Sequence, residues 1–295
     1  MIPDNIRPER RPSARNRGGT QFEIQAALIP QKNRFQYQSP AALARTIKSI
    51  IDSKAAEEYF IYIQGIGEDK FDKMETRLRK ARLRRFVLLT FENALCAAIM
   101  HIRPTVYENR VSLNLFTRLI TKISLTPAYA GGPIAGLLVP LGDIPGVRSK
   151  EGDHALVPAT REEDVWPAVV IDVCNSQGLD YLRSDAKWWL INSAGQTRFV
   201  IIVQVTRNPA AFHFECWKMI PSGRRQTRQT CAWTPGRVHD CDIDEKGVVV
   251  SASSELRIPY DFFLDEPPDN ASDAVLTNAE LSRFALSMLP GLYPQ

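Results

Sequence analysis

The sequence predicts a mixed α/β fold, a central sheet of mixed strand direction with flanking helices. Residues 168–173, AVVIDV, form a short, nearly continuous apolar run of the kind that makes a buried central strand. Leu179, Leu182, Ala186, Trp189 and Leu190 then recur at helical spacing, and Ser193-Ala194-Gly195 supplies a stop. RFVIIVQV follows as a second buried run and AFHFECWKM as a third, alternating one. This order of strand, helix, strand, strand places a helix on one face of the sheet.

A chain of 295 residues can bury one large core with extensions. Residues 1–38 are rich in Arg, Pro, Asn and Gln and poor in large apolar side chains, so they read as a flexible basic arm. Residues 39–130 read as a helical N-terminal region. In it Ser39 caps a helix starting at Pro40, with Leu43, Ile47, Ile50 and Ile51 on one face. Residues 68–100 favour helix, with a basic front half (Arg77, Arg79, Lys80, Arg82, Arg84, Arg85) and an apolar rear half. Leu115, Leu119, Ile120 and Ile123 repeat near 3.6 residues over 114–125. Gly131-Gly132-Pro133 breaks the pattern and opens an α/β core over 131–265, with short strands expected around 247–252 and 256–258. Residues 266–295 read as a linker, punctuated by Glu266-Pro267-Pro268-Asp269, and a helix capped by Thr277 with Leu281, Phe284, Ala285 and Met288 inward.

The formal charge of +4 is mild, but basic residues cluster at 7–17, 77–85 and 224–228, a pattern compatible with phosphate contacts. The five cysteines are odd in number and include no CxxC pair, which favours a reducing compartment. The N-terminus has no apolar signal-like region, and the longest apolar stretch, 86–102, is interrupted by Glu92 and Asn93. The expectation is an intracellular protein, nuclear or cytoplasmic, outside the membrane.

Asp172 stands between Ile171 and Val173 in an apolar strand. A carboxylate there is costly unless it sits at the strand end, pairs with a cation or binds metal. Asp153, in Gly152-Asp153-His154, precedes that strand and also suits a turn. Residues 150–218 thereby resemble the core of the PD-(D/E)XK nuclease superfamily, in which one acid lies on or near a strand and a second inside the next apolar strand, before a helix and another strand. WPAVVIDV, LRSDAKWWL and the strand after Ser193-Ala194-Gly195 look like uncharacterised fungal proteins assigned to this restriction-endonuclease-like fold.

The resemblance implies Asp153 and Asp172 as ligands of Mg²⁺ or Mn²⁺, and hydrolysis of phosphodiester bonds in DNA or RNA. The chain departs from the pattern at Cys174, where the superfamily's lysine would stand two positions after the second acid. A thiol cannot supply that cation, and Lys187 on the following helix is the expected replacement. Arg183 is its i,i+4 neighbour, and Arg183, Arg224 and Arg225 are the expected nucleic-acid contacts. The alternative is a catalytically inactive module of the same fold that binds nucleic acid or a protein partner.

Other residues read as structural. Asp185 falls off the Arg183/Lys187 face and is expected to pair locally. Glu215 alternates with Phe214 and Cys216 and is expected at the surface, and Gln204 as a core amide. Glu162, Glu163 and Asp164 suit a solvated loop. Cys231, His239, Cys241 and Asp242 match no common zinc spacing. Trp188 and Trp189 suit core packing.

Overall fold

The structure, a computed structural model, describes residues 21–53, 59–103, 107–123, 134–135, 139–140, 147–150, 152–158, 161, 166–175, 178–222, 233–263, 265 and 272–291. In chain order the elements are α1 (Gln21–Leu28), β1 (Arg34–Gln36), α2 (Pro40–Asp52), β2 (Tyr59–Gln64), α3 (Glu68–Lys80), β3 (Val87–Glu92), β4 (Ala97–Ile102) and α4 (Tyr107–Lys122). They continue as β5 (Ile134–Ala135), β6 (Val139–Pro140), β7 (Val147–Lys150), β8 (His154–Leu156), β9 (Val169–Asn175), α5 (Leu179–Asn192), β10 (Phe199–Arg207) and β11 (Ala210–Pro221). The last are β12 (Trp233–Ile243), β13 (Val249–Ala252), β14 (Leu256–Ile258), β15 (Ala274–Leu276) and α6 (Asn278–Met288).

The expected strand-helix-strand-strand unit is β9-α5-β10-β11. β9 is buried along its whole length and runs parallel to β10, with Val170 opposite Val200, while β10 and β11 are antiparallel. Parallel neighbours require a crossover, and α5 provides it. Among the described residues these strands belong to a sheet ordered β13-β12-β11-β10-β9-β8-β5. The chain is thus a mixed α/β protein. β13 extends this sheet as expected, whereas β14 pairs separately with β15. At the C-terminus Thr277 and Glu280 form a reciprocal capping box for α6.

The N-terminal half departs from the helical expectation. α2 forms behind the Ser39 cap and α4 where the period indicated it, but the helix foreseen over 68–100 ends at Lys80. Beyond it, VLLTFE and AAIMHI form the antiparallel pair β3 and β4. Each run is six residues long, a strand length, and the NALC segment between them makes the turn. With β1, β2, β6 and β7 they build a second sheet, ordered β1-β2-β4-β3-β7-β6. Because β6 and β7 pair into this sheet, the expected boundary at 131 cuts through one structural unit; residues 131–133 lie outside the described residues.

Residues 21–38 also depart from the flexible-arm expectation. Phe22, Ala26 and Ile29 close against Ala97 and Ile99 of β4 and Tyr181 of α5. Few in number, these apolar side chains all reach one surface, and that suffices to seat the eight-residue α1. Residues 1–20 and the 266–271 linker lie outside the described residues.

α2 and α3 cover the outer face of the first sheet. α1 and α5 lie between the two sheets, with Tyr181 of α5 facing β2 and β4, and Leu182, Ala186 and Trp189 facing β9 and β10. α4 and α6 cover the far side of the second sheet. No helix among the described residues is long and apolar enough to cross a membrane.

Candidate active site

β8 and β9 pair antiparallel with His154 opposite Ile171, so one further step along the register sets Asp153 across from Asp172. The two acids take over the ladder at this point. The Asp153 amide donates to Asp172 Oδ1 at 2.9 Å, and the Val173 amide donates to Asp153 Oδ2 at 2.7 Å. Gly152 makes the approach possible, because a Cβ there would lie 3.0 Å from Val170 Cγ1 and 3.1 Å from Asp172 Oδ1. The structure therefore brings together the two acids that the sequence singled out.

The strand alternation turns Val169, Ile171 and Val173 toward α4 and α6, and leaves Asp172 with Val170 and Cys174 on the α5 side. There it meets groups that the sequence reading missed. Asp185, on the Tyr181 face of α5, pairs with Lys150 Nζ at 2.6 Å and accepts a hydrogen bond from Gln25 of α1. Lys150 Nζ also reaches Thr90 Oγ1 at 3.4 Å and lies 5.0 Å from the centre of the Trp188 ring. Arg103, just past β4, donates to Asp153 Oδ1. Asp185 thus pairs with a residue from another sheet, which corrects the local pairing expected for it.

This polar seam is buried: Lys150 is 0% exposed, Asp172 2%, Asp153 3%, Arg103 5% and Asp185 6%. Burial, then the nearby Asp153 and Asp185 charges, push the Asp172 carboxyl up to about 8. Burial also raises Asp185 against the pull of Lys150, and lowers His101, which Arg103 pushes the same way, to about 3. Two cations face three carboxyl groups in this seam, and burial favours the protonated form of Asp172. Its Oδ2 atom is buried with no hydrogen-bond partner among the described residues, which leaves it open to a water molecule or an ion.

Lys187 lies elsewhere. It is two residues beyond Asp185, hence on another face of α5, and its Nζ sits 5.6 Å from the centre of the Trp217 ring on β11. The i,i+4 relation to Arg183 holds, but both side chains face β11, where Arg183 forks onto Glu215 at 2.6 Å. Glu215, expected at the surface, is fully buried. Burial alone would raise it, but hydrogen bonds from His213, Arg183 and Arg237 bring it well below the usual range. Arg183 is therefore tied into a structural network. Arg224 and Arg225 lie outside the described residues.

Neither a family model nor a curated protein matches this chain.

Chemically, the donors suit a hard cation. Asp172 Oδ2 is an unused carboxyl oxygen beside Asp153, open to a cation once Asp172 gives up its proton, and Mg²⁺ is commonly held by one or two carboxylates with water and phosphate oxygens completing the shell. Among the described residues no group of three or more His, Cys, Asp or Glu side chains is arranged to hold a metal ion. His239, Cys241 and Asp242 form no metal cluster. Asp242 instead pairs with His213 Nδ1 at 2.6 Å, and Cys231 lies outside the described residues.

Proposed function

We propose that this chain is a metal-dependent phosphodiester hydrolase acting on DNA or RNA, built on a restriction-endonuclease-like core. The observation that carries the reading is the side-by-side pair Asp153 and Asp172, one of whose oxygens is buried and unused. The order of elements agrees with it: one acid just before β8, the second inside β9, then α5 and the parallel β10. Asp153 and Asp172 would hold Mg²⁺ or Mn²⁺, which supplies Lewis acidity toward the phosphoryl oxygen and lowers the pKa of the attacking water. Lys150 replaces Lys187 in this reading, since it is buried in the same seam beside Asp185, whereas Lys187 Nζ lies over the Trp217 ring. Arg103 orients Asp153.

Burial of the acids favours a second reading, a catalytically inactive module in which Lys150, Asp185, Arg103 and Asp153 simply lock the two sheets together. Cleavage assays on mixed DNA and RNA oligonucleotides with Mg²⁺ or Mn²⁺ separate the two. The hydrolase reading expects metal-dependent cleavage that chelator stops and Asp172→Asn lowers by at least about 100-fold. Absence of cleavage with every metal supports the inactive module, and equal cleavage by the variant removes Asp172 from the catalytic site.

A further inference from the structure

We propose that α1 and the end of β4 form a cover over the acid pair, and that a nucleic-acid substrate reaches the site only when this cover withdraws. The inference rests on the hydrolase reading and concerns access to that same site. A phosphodiester backbone is far larger than any gap left by side chains that are almost wholly buried, so the closed arrangement cannot be the one that binds it.

The contacts that close the seam come from a small part of the chain. Arg103 reaches Asp153 from just past β4, with only 6% and 1% of the two side chains exposed. From α1, Gln25 donates to Asp185, and Gln21 donates to the Ser184 carbonyl at 3.1 Å and to the Ser184 hydroxyl. Apolar seating adds Phe22, Ala26 and Ile29. A helix of eight residues has little stability of its own, so α1 stays in place through these contacts, the Phe22–Tyr62 ring contact and the Arg34 hydrogen bonds to the Ala26 and Ile29 carbonyls.

The closed seat is also polar and incompletely satisfied. Gln25 Oε1 is buried with no hydrogen-bond partner among the described residues, as is Asp172 Oδ2 on the site side of the seam. Unpaired buried polar atoms weigh against the closed state. Withdrawal of α1 frees one of them to water, and a metal ion or phosphate arriving at the acids engages the other. The ligand thereby binds the open state in preference to the closed one, as a population shift requires.

The test uses the full chain, Mn²⁺, a plain oligonucleotide and its uncleavable phosphorothioate analogue. Hydrogen exchange over residues 21–28 and at Arg103 is expected to speed up at least tenfold when Mn²⁺ and the analogue are added. The variant Gln21→Ala with Gln25→Ala is expected to cleave the plain oligonucleotide several-fold faster than wild type, with the same Mn²⁺ dependence. Unchanged or slowed exchange in those segments while wild type cleaves, or a variant that cleaves no faster, overturns the cover and leaves the hydrolase reading standing. A wild type that does not cleave at all overturns the hydrolase reading, and the cover with it.

Discussion

Asp172 occupies a strand buried on both faces, and folding favours its acid form. The unfolded chain releases this proton near the ordinary aspartate pKa, whereas the folded chain holds it up to about pH 8. Between those limits the folded state binds more protons, so stability falls as pH rises. Asp172→Asn removes the titration while keeping the volume. Urea unfolding is expected to show the variant more stable than wild type at pH 8 by about 1–3 kcal/mol, with the gap shrinking toward pH 4. The same pH slope in both proteins would contradict the buried, protonated Asp172. Gly152 bears on the same carboxyl: Gly152→Ala places a methyl group against Asp172 Oδ1 and Val170, and is expected to lower stability by about 1–3 kcal/mol in the same assay.

At the scale of elements, α5 is where most of the polar architecture is decided, because it has two working faces. Tyr181 and Asp185 turn toward the seam, and Arg183 and Lys187 toward β11. Lys150→Met leaves Asp185 buried without its cation and is expected to cost about 3–5 kcal/mol, whereas Lys150→Met with Asp185→Asn should recover most of that loss. Additive losses in thermal unfolding would show that the two residues do not act as a pair. The helix itself was legible in the sequence, as were β9, β10 and the caps at Ser39 and Thr277, since each rests on a local period or a local hydrogen bond. Asp172 was legible too, because a carboxylate inside VVIDVC is costly wherever the strand goes, whereas Asp153, equally suited to a turn, was singled out only through the resemblance. The partners of the acid pair were not. Lys150 and Arg103 come from the first sheet, and nothing in the residues beside them signals that they will be buried. Lys187 was a reasonable choice by helical spacing, but spacing gives relative faces and cannot say which face meets the acids. The β3 and β4 pair was missed for a related reason: helix-favouring residues continue up to Lys80, and periodicity does not separate a six-residue buried strand from a helix segment.

Across the whole molecule, the two sheets share α1 and α5 between them, so the half of the chain that carries the acids is not self-contained. A fragment beginning at residue 107 would expose the Tyr181 side of α5 and remove Arg103 and Thr90 from the seam. It is expected to bind a hydrophobic dye and to be cut rapidly by protease, while the full chain resists. Equal resistance would mean that the first sheet is an independent appendage. The central claim, that Asp153 and Asp172 together make a divalent-cation site, is tested most directly by calorimetric titration of Mn²⁺ into wild type and Asp172→Asn at pH 8. The account expects one saturable site in the wild type, weakened at least about tenfold in the variant. Equal affinities, or no binding by the wild type, would contradict it.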